Sequence, residues 1–354
     1  MTLSVAEIKE MARPQACDLA QELAPGGHVS GAYYLARSPL RSDRKAGSFC
    51  VWIKGPAAGA WKDFASDEKG DLVDLIAEVK FGGRARAERG QAIQWLRARL
   101  GLGGASPAEL TVRRREARAA QLRREAEEAE KREIKRKRCF DLFQAGRPLG
   151  GTLGEVYLRA RGVDAAGIAN KSATFRFLPR LDYWKGGAAA HAGPAILGRY
   201  RDAFGNAPAV HATWLAADGR AKADLDPAKL SYGEYKGCFL PISRGLSGKE
   251  CWEADVAPGL VQVTEGPEDG WSIALARPDL RTWAAGSLSN IGNLPCPKCV
   301  AGFLVVRQND WETPAAVQAF ERALEALSKH GAPVSVIETP PGPKDPNDQL
   351  RGLK

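Results

Sequence analysis

No stretch of this 354-residue chain stays apolar for the roughly 18 residues that a membrane-spanning helix needs, so no span is expected. The start, MTLSVAEIKEMARPQA, also lacks the apolar core of a signal peptide, and the expected location is the cytoplasm. Cysteine is scarce and unpatterned. The seven, at positions 17, 50, 139, 238, 251, 296 and 299, are odd in number and scattered, which suits reduced thiols in small core positions better than a disulfide framework. Histidine is scarcer still, with His28, His191, His211 and His330 single and distant in sequence. Cys296-Pro297-Lys298-Cys299 is the one Cys-x-x-Cys, and half a zinc site cannot close a tetrahedron without two partners. It does not open a helix after a first strand in the way of a redox motif, and reads as a loop before a strand. The Gly-x-x-x-x-Gly-Lys-Ser/Thr phosphate loop is missing, so a fused helicase is not expected.

What is present is a basic chain of mixed character. A hydrophobic content of 44% supports two or three domains with cores of their own. The net charge of +9 suits a polyanionic partner, because cations facing phosphates gain affinity by releasing condensed counterions; a basic surface with no such role fits it equally. Residues 1–24 read as a short helix broken by Pro25-Gly26-Gly27. Ser48 to Ile53 and Ala60 to Phe64 read as paired antiparallel strands around a Gly55-Pro56 turn, and helices follow from near Asp71 and through Ile93 to Leu100. Residues 106–140 carry no glycine or proline after Pro107 and should form one long helix. Between Arg113 and Arg138 it holds 12 Lys/Arg against 6 Glu, with the excess in Lys131-Arg132 and Lys135 to Arg138. Most of that helix reads as a solvated face with internal ion pairs, and its last basic cluster as a candidate phosphate contact.

From about 150 to 255 short strands alternate with Gly-rich loops, the pattern of an α+β domain. From Gly259 the pattern becomes strand–helix alternation: strands at 260–264, 303–306 and 334–337, helices around 269–277 and 315–330. Such alternation implies a parallel sheet covered by helices, in which functional residues gather at the carboxyl ends of the strands. Three acidic clusters fall there: Glu265-Gly266-Pro267-Glu268-Asp269, then Arg307-Gln308-Asn309-Asp310, then Lys344-Asp345-Pro346-Asn347-Asp348. Carboxylates converging from separate strands suit Mg2+, which takes oxygen ligands and leaves positions for water and substrate phosphates.

The order Glu-Gly-x-x-Asp, then a strand ending in acidic residues, then Lys-Asp-x-Asn-Asp resembles the Toprim domain of phage- and plasmid-type, DnaG-like bacterial primases. The matching residues are Glu265, Gly266 and Asp269, then Asp310, then Lys344, Asp345, Asn347 and Asp348. Upstream, the run from His211 through Arg220 and Lys222 to Lys229 resembles the basic N-terminal half of the primase core, which in that family guides template and nucleotide. The first segment resembles the family's zinc ribbon in altered form. Its frame survives in Gly47-Ser48-Phe49 and Gly70 to Leu75, while the four ligand positions hold Ser38, Arg41, Asp63 and Ser66. Only the aspartate is even a weak zinc ligand, so zinc is not expected. Trp61 and Phe49 would then stack bases or form the core of the small sheet.

The resemblance implies four segments: a zinc-ribbon-like DNA-binding module without zinc ligands at 1–104, a charged helical linker at 105–145, the basic half of a primase core at 146–257, and a Toprim domain at 258–354. The fold class is α+β and α/β. The implied activity is a DNA primase, a nucleotidyltransferase for DNA replication of a mobile element, using Mg2+ or Mn2+, ribonucleoside triphosphates and a single-stranded DNA template. A separate helicase would be a partner. Glu265, Asp269 and Asp310 would be catalytic; Glu265, Gln308, Asp310, Asp345 and Asp348 would hold metal; Arg220, Lys222 and Lys229 would bind nucleotide. The family's Asp-x-Asp is Gln308-Asn309-Asp310 here, so an amide stands where the first carboxylate belongs. An amide oxygen brings no charge to a divalent cation, and this leaves open a Toprim protein that binds single strands or assembles a replication complex without catalysis.

Overall fold

Ser4 and Asp71 each start a helix by the same device, a side chain accepting from the helix backbone while a residue three further on returns a bond to the cap. Both caps lie in the first of two units, Met1–Lys131 and Arg132–Lys354, in a computed structural model that describes residues 3–44, 46–185, 188–309 and 313–353. In this unit α1 (Val5–Ala12) and α2 (Ala16–Leu23) are split by a short turn at Arg13–Gln15 that carries Pro14. The strands β1 (His28–Ser30), β2 (Tyr33–Ala36), β3 (Phe49–Trp52), β4 (Trp61–Asp63) and β5 (Lys69–Gly70) form an antiparallel meander in that order. The first two of these are not evident in the sequence, where Gly31 and two tyrosines mask their alternation. After the sheet come α3 (Leu72–Phe81), ended by Gly82 at φ 78°, and α4 (Arg86–Arg99).

Leu19, Leu23, Phe49, Trp61, Leu75, Ile76 and Leu96 make the core of this unit. Phe49 and Trp61 lie within 1% of full burial with centroids 5.4 Å apart, so they serve packing and cannot stack on a base. The exposed aromatics near that sheet are Tyr33 and Phe64, the latter with the Lys62 ammonium 5.2 Å from its ring centre.

Arg41 and Asp63 meet across this sheet. The Arg41 guanidinium donates to both carboxylate oxygens of the fully buried Asp63, at 2.9 and 3.1 Å, and to the Ser48 hydroxyl at 2.8 Å. Burial pushes the Asp63 carboxyl up, but hydrogen bonds from Arg41, Ser38 and the Ala65 amide hold it below the usual range. Ser66 points elsewhere, to Glu68.

Helix α5 (Pro107–Ala145) gives its last turns to the second unit, where Cys139 and Phe143 are buried among Tyr183, Leu197, Val210 and Trp214. Next come α6 (Leu153–Ala160) and a four-stranded antiparallel sheet of β6 (Phe175–Lys185), β7 (Ala188–Arg199), β8 (Ala209–Trp214) and β9 (Lys229–Gly233). Then follow β10 (Leu240–Arg244), β11 (Gly259–Thr264), α7 (Pro267–Ala276), β12 (Arg281–Ala284), α8 (Leu288–Ile291), β13 (Val300–Arg307), α9 (Pro314–Ser328), β14 (Val334–Glu338) and α10 (Pro346–Leu350).

Their strands form a second sheet in the order β10-β12-β11-β13-β14, parallel except for β10, which runs antiparallel to β12. Val261, Val263, Phe303 and Val305 face Phe320 and Leu327 of α9 in one core, where Phe239 stacks on Trp283 at 3.8 Å between ring centres. The fold is thus mixed α/β. No described helix is long and apolar enough to cross a membrane.

Removing Arg41 strands a buried carboxylate. Arg41→Ala should lower the stability of the first unit, because Asp63 would keep only its Ser38 and Ala65 hydrogen bonds. Native-state hydrogen exchange on the full chain checks this: amides of β3 and β4 should lose protection while those of β11 and β13 do not.

Candidate active site

The carboxyl ends of β11 and β13 and the loop after β14 converge on one place. Thr264 closes β11, and its hydroxyl donates to the Gly266 carbonyl, turning the chain directly into α7 with Pro267 in the first turn. A side chain at Gly266 would sit 3.3 Å from Glu268 Oε2 and 3.9 Å from Lys229 Nζ, so the turn must be small where these groups approach. Gly270, one turn on, lets the helix lie against Ile242 and Thr264.

Glu268 and Asp269 begin α7 side by side, both buried, and meet opposite surroundings. Glu268 Oε1 accepts from the Tyr157 hydroxyl and from Lys222 Nζ, each at 2.9 Å. Burial pushes this carboxyl up, yet Lys222 and Lys229 more than offset it and hold the group far below the ordinary range. Burial and the Glu268 carboxylate push the Tyr157 phenol up, so it stays a donor. Asp269 is pushed up to about 7 by burial, by Asp345 and by Glu268, against hydrogen bonds from Gln308 Nε2 at 2.5 Å and the Asn347 amide at 3.3 Å.

Asn347 ties this corner together. Its side-chain amide donates to the Arg161 carbonyl at 2.9 Å and to Ser272 Oγ at 3.0 Å, so α10 is fastened to α7 and to the end of α6. Asn309 fastens the loop before it, donating to the carbonyls of Pro340 and Pro343, each at 2.8 Å. Asp345 caps α10 by accepting from the Asp348 amide at 2.8 Å.

Of the residues singled out in the sequence, the structure brings together Asp269, Gln308 and Asp345, with Lys222 and Lys229 on the Glu268 side. Glu265 follows β11, half-buried, its carbonyl accepting from Gly286 N at 2.7 Å. Asp348 turns to Arg351, 3.5 Å away, and Arg220 is exposed on the turn before Lys222. Asp310 lies outside the described residues. Among the described residues no three His, Cys, Asp or Glu side chains meet in a metal-binding group. Tyr157 is a member that sequence reasoning missed, since it lies 111 residues from Glu268 and nothing local marks it.

Behind the lysines sits His211, 4% exposed, with Nε2 3.3 Å from the Thr213 hydroxyl and Nδ1 3.4 Å from that of Ser231. Burial pushes it down to about 4; Glu268 opposes this, and Lys229 and Lys222 add to it.

Residues 260–352 match the Toprim domain family. Residues 133–242 match a second family described as a domain of unknown function, DUF7146. No curated protein matches the chain. Among solved structures, the Aquifex aeolicus primase (zinc binding and RNA polymerase domains) shares 16% identity over 98% of this chain and 82% of its own, with a TM-score of 0.39. The E. coli primase catalytic core shares 16% over 62% and 75%, with a TM-score of 0.40. A DnaG primase catalytic domain bound to single-stranded DNA shares 16% over 63% and 78%, with a TM-score of 0.42. The Toprim match covers β11 to α10, and therefore every carboxylate of the cluster.

His211 makes the second unit acid-sensitive. Its folded pKa of about 4 lies below the unfolded value of about 6.5, so between these the unfolded chain binds the extra proton. The stabilisation is complete above pH 6.5 and is lost as pH falls toward 4. Between pH 7 and pH 5 the loss should be about 2 kcal/mol. Urea unfolding at the two pH values should show that much more acid sensitivity in the native chain than in His211→Gln.

Proposed function

We propose that the chain is a primase-like nucleotidyltransferase that makes short RNA primers on single-stranded DNA in the cytoplasm, for replication of a phage, plasmid or other mobile element. The observation that carries this reading is the buried Asp269 carboxyl, crowded by Asp345 and Glu268 at the strand ends and raised to about 7. A buried group this crowded by negative charge favours a neighbouring cation, and the donors around it are hard oxygens, the type that an ion of the Mg2+ or Mn2+ class takes; the described carboxylates do not already meet as a set of three, so such an ion would have to draw them together. Asp269, Asp345, Asp348, Asp310, Glu265 and the Gln308 amide oxygen would hold it. When bound, the ion supplies electrostatic stabilisation of triphosphate charge.

The chain's own groups divide the remaining work. Glu265, at the end of β11, stands nearest the attacking ribose hydroxyl. Lys222 and Lys229 share Glu268 between them, so the trio keeps one net positive charge for a nucleotide phosphate. Arg220, exposed on the turn before them, tracks the strand backbone. In the first unit, residues 1–104 form a DNA-binding module in which Arg41 and Asp63 clamp the sheet in place of a metal. Base stacking there falls to Phe64 and Tyr33, since Phe49 and Trp61 are core. Residues 105–145 serve as the helical linker, 146–257 as the basic half of the catalytic core and 258–354 as the Toprim domain, with a separate helicase as partner.

One observation favours a second reading. The Gln308 amide donates to Asp269 at 2.5 Å, supplying part of the positive field that a cation would bring. A chain relying on that bond would bind single strands or assemble a replication complex without catalysing synthesis.

Labelled ribonucleotides on single-stranded DNA with Mg2+ or Mn2+ separate the two. The enzyme reading expects primers from the native chain and a drop of about 100-fold or more in Glu265→Gln and Asp269→Asn. Salt-sensitive strand binding with no product from the native chain would leave the second reading standing.

A further inference from the structure

Arg199, at the end of β7, lines a cavity of about 580 Å³ formed by α6, the segment after it, β6, β10 and α7. Leu158, Ile168, Phe175, Ile242 and Trp271 give it apolar walls, with the Phe175 and Trp271 rings 4.6 Å apart between centres. The Arg199 Nε is buried and makes no hydrogen bond, and among the described residues the guanidinium has no ion-pair partner. Glu250, the acid whose field reaches it, accepts instead from Ser172 at 2.5 Å and Arg244 at 3.0 Å. The two acids on the cavity rim are also engaged: Glu155 with Arg159 and the Gly151 amide, Asp164 with the Ala166 amide.

Arg199 is partly buried, its Nε lacks a hydrogen bond, and neighbouring positive charge adds to the cost of holding the guanidinium there. Arg176 and Arg199 lie over the same Phe143 ring, at 4.8 and 4.6 Å from its centre. Burial, with Arg201 and Arg176 nearby, pushes Arg199 down to about 10, which still leaves it charged at neutral pH. A partly buried cation with an open donor gains from an anionic partner. The ring also holds Arg199 in place in advance, so little ordering cost would be incurred on binding. The volume is that of a small-molecule site.

We propose that this cavity binds a small organic anion, a carboxylate or phosphate monoester carried on a flat apolar ring, with its anionic group on Arg199 and its ring against Phe175 and Trp271. A neutral ligand would leave the guanidinium unpaired, and a cation would meet Arg176, Arg199 and Lys171 on the same walls. The site is separate from the carboxylate cluster, although α7 serves both: Trp271 lies one turn beyond Glu268.

Calorimetric titration of the full chain with naphthoate, naphthyl phosphate, naphthalenemethanol and naphthylmethylamine tests this. The stronger of the two anions identifies the acid group, and it should bind at least about tenfold more tightly than the alcohol, with no binding of the amine. Arg199→Met, which keeps the bulk of the side chain, should weaken that anion about tenfold or more. Ala173→Trp, on the exposed rim, should block it without touching the core. Binding of neither anion, equal binding of the alcohol, or affinity unchanged in both variants would overturn the proposal.

Discussion

Glu268 and Asp269 are neighbours in sequence, buried to nearly the same degree at the start of one helix, and their surroundings push the two carboxyl groups in opposite directions. The difference lies in what each faces. Two lysines offset the Glu268 charge and a phenol donates to it, while Asp269 looks toward Asp345 and, among the described residues, accepts from an amide and a backbone N–H. Because helix α7 imposes both directions at once, the strand that precedes it and the helix α10 that packs on it have their positions set by the need to satisfy these two groups.

The supports around the pair follow from that requirement. Gly266 leaves room for the Glu268 carboxylate, and Gly270 lets α7 lie against Ile242 and Thr264. Asn347 reaches α6 and α7 together, which fixes where Asp345 can stand. β10 closes the sheet beside β12 and brings Ile242 under α7. β8 and β9 deliver His211 and Lys229 from the other sheet, and burial keeps His211 neutral so that it adds no third cation at physiological pH. Positive charge on one side of α7 and negative on the other is an arrangement suited to a substrate that carries phosphates on a metal ion.

Much of the second sheet was legible in the sequence, because apolar strands and amphipathic helices alternate from Gly259 onward, and the strand ends then locate the acidic clusters. β12 was not, since Arg281–Ala284 spans only four residues and opens on a charged one. The pairing of β10 with β12 was also hidden, as it joins residues 37 to 44 apart with nothing local to announce it. Asp269 and Gln308 were named from motif order, but that the amide nitrogen of Gln308 faces the carboxylate is a matter of rotamer. Tyr157 and Arg199 were out of reach for a simpler reason: what matters about each is a partner, or the want of one, far away in the chain. Phe49 and Trp61 show the reverse case, aromatic residues whose burial is a property of the meander around them.

The divalent cation proposed above would relieve the crowding at Asp269, and Mn2+ binding followed by electron paramagnetic resonance across pH measures it. Binding must displace the proton that Asp269 holds with a pKa of about 7, so affinity should fall as pH drops from 8 to 6, and Asp269→Asn should weaken it at least about tenfold at pH 8. Affinity independent of pH and unchanged in Asp269→Asn, or no Mn2+ bound at all, would mean that no divalent cation answers this carboxyl.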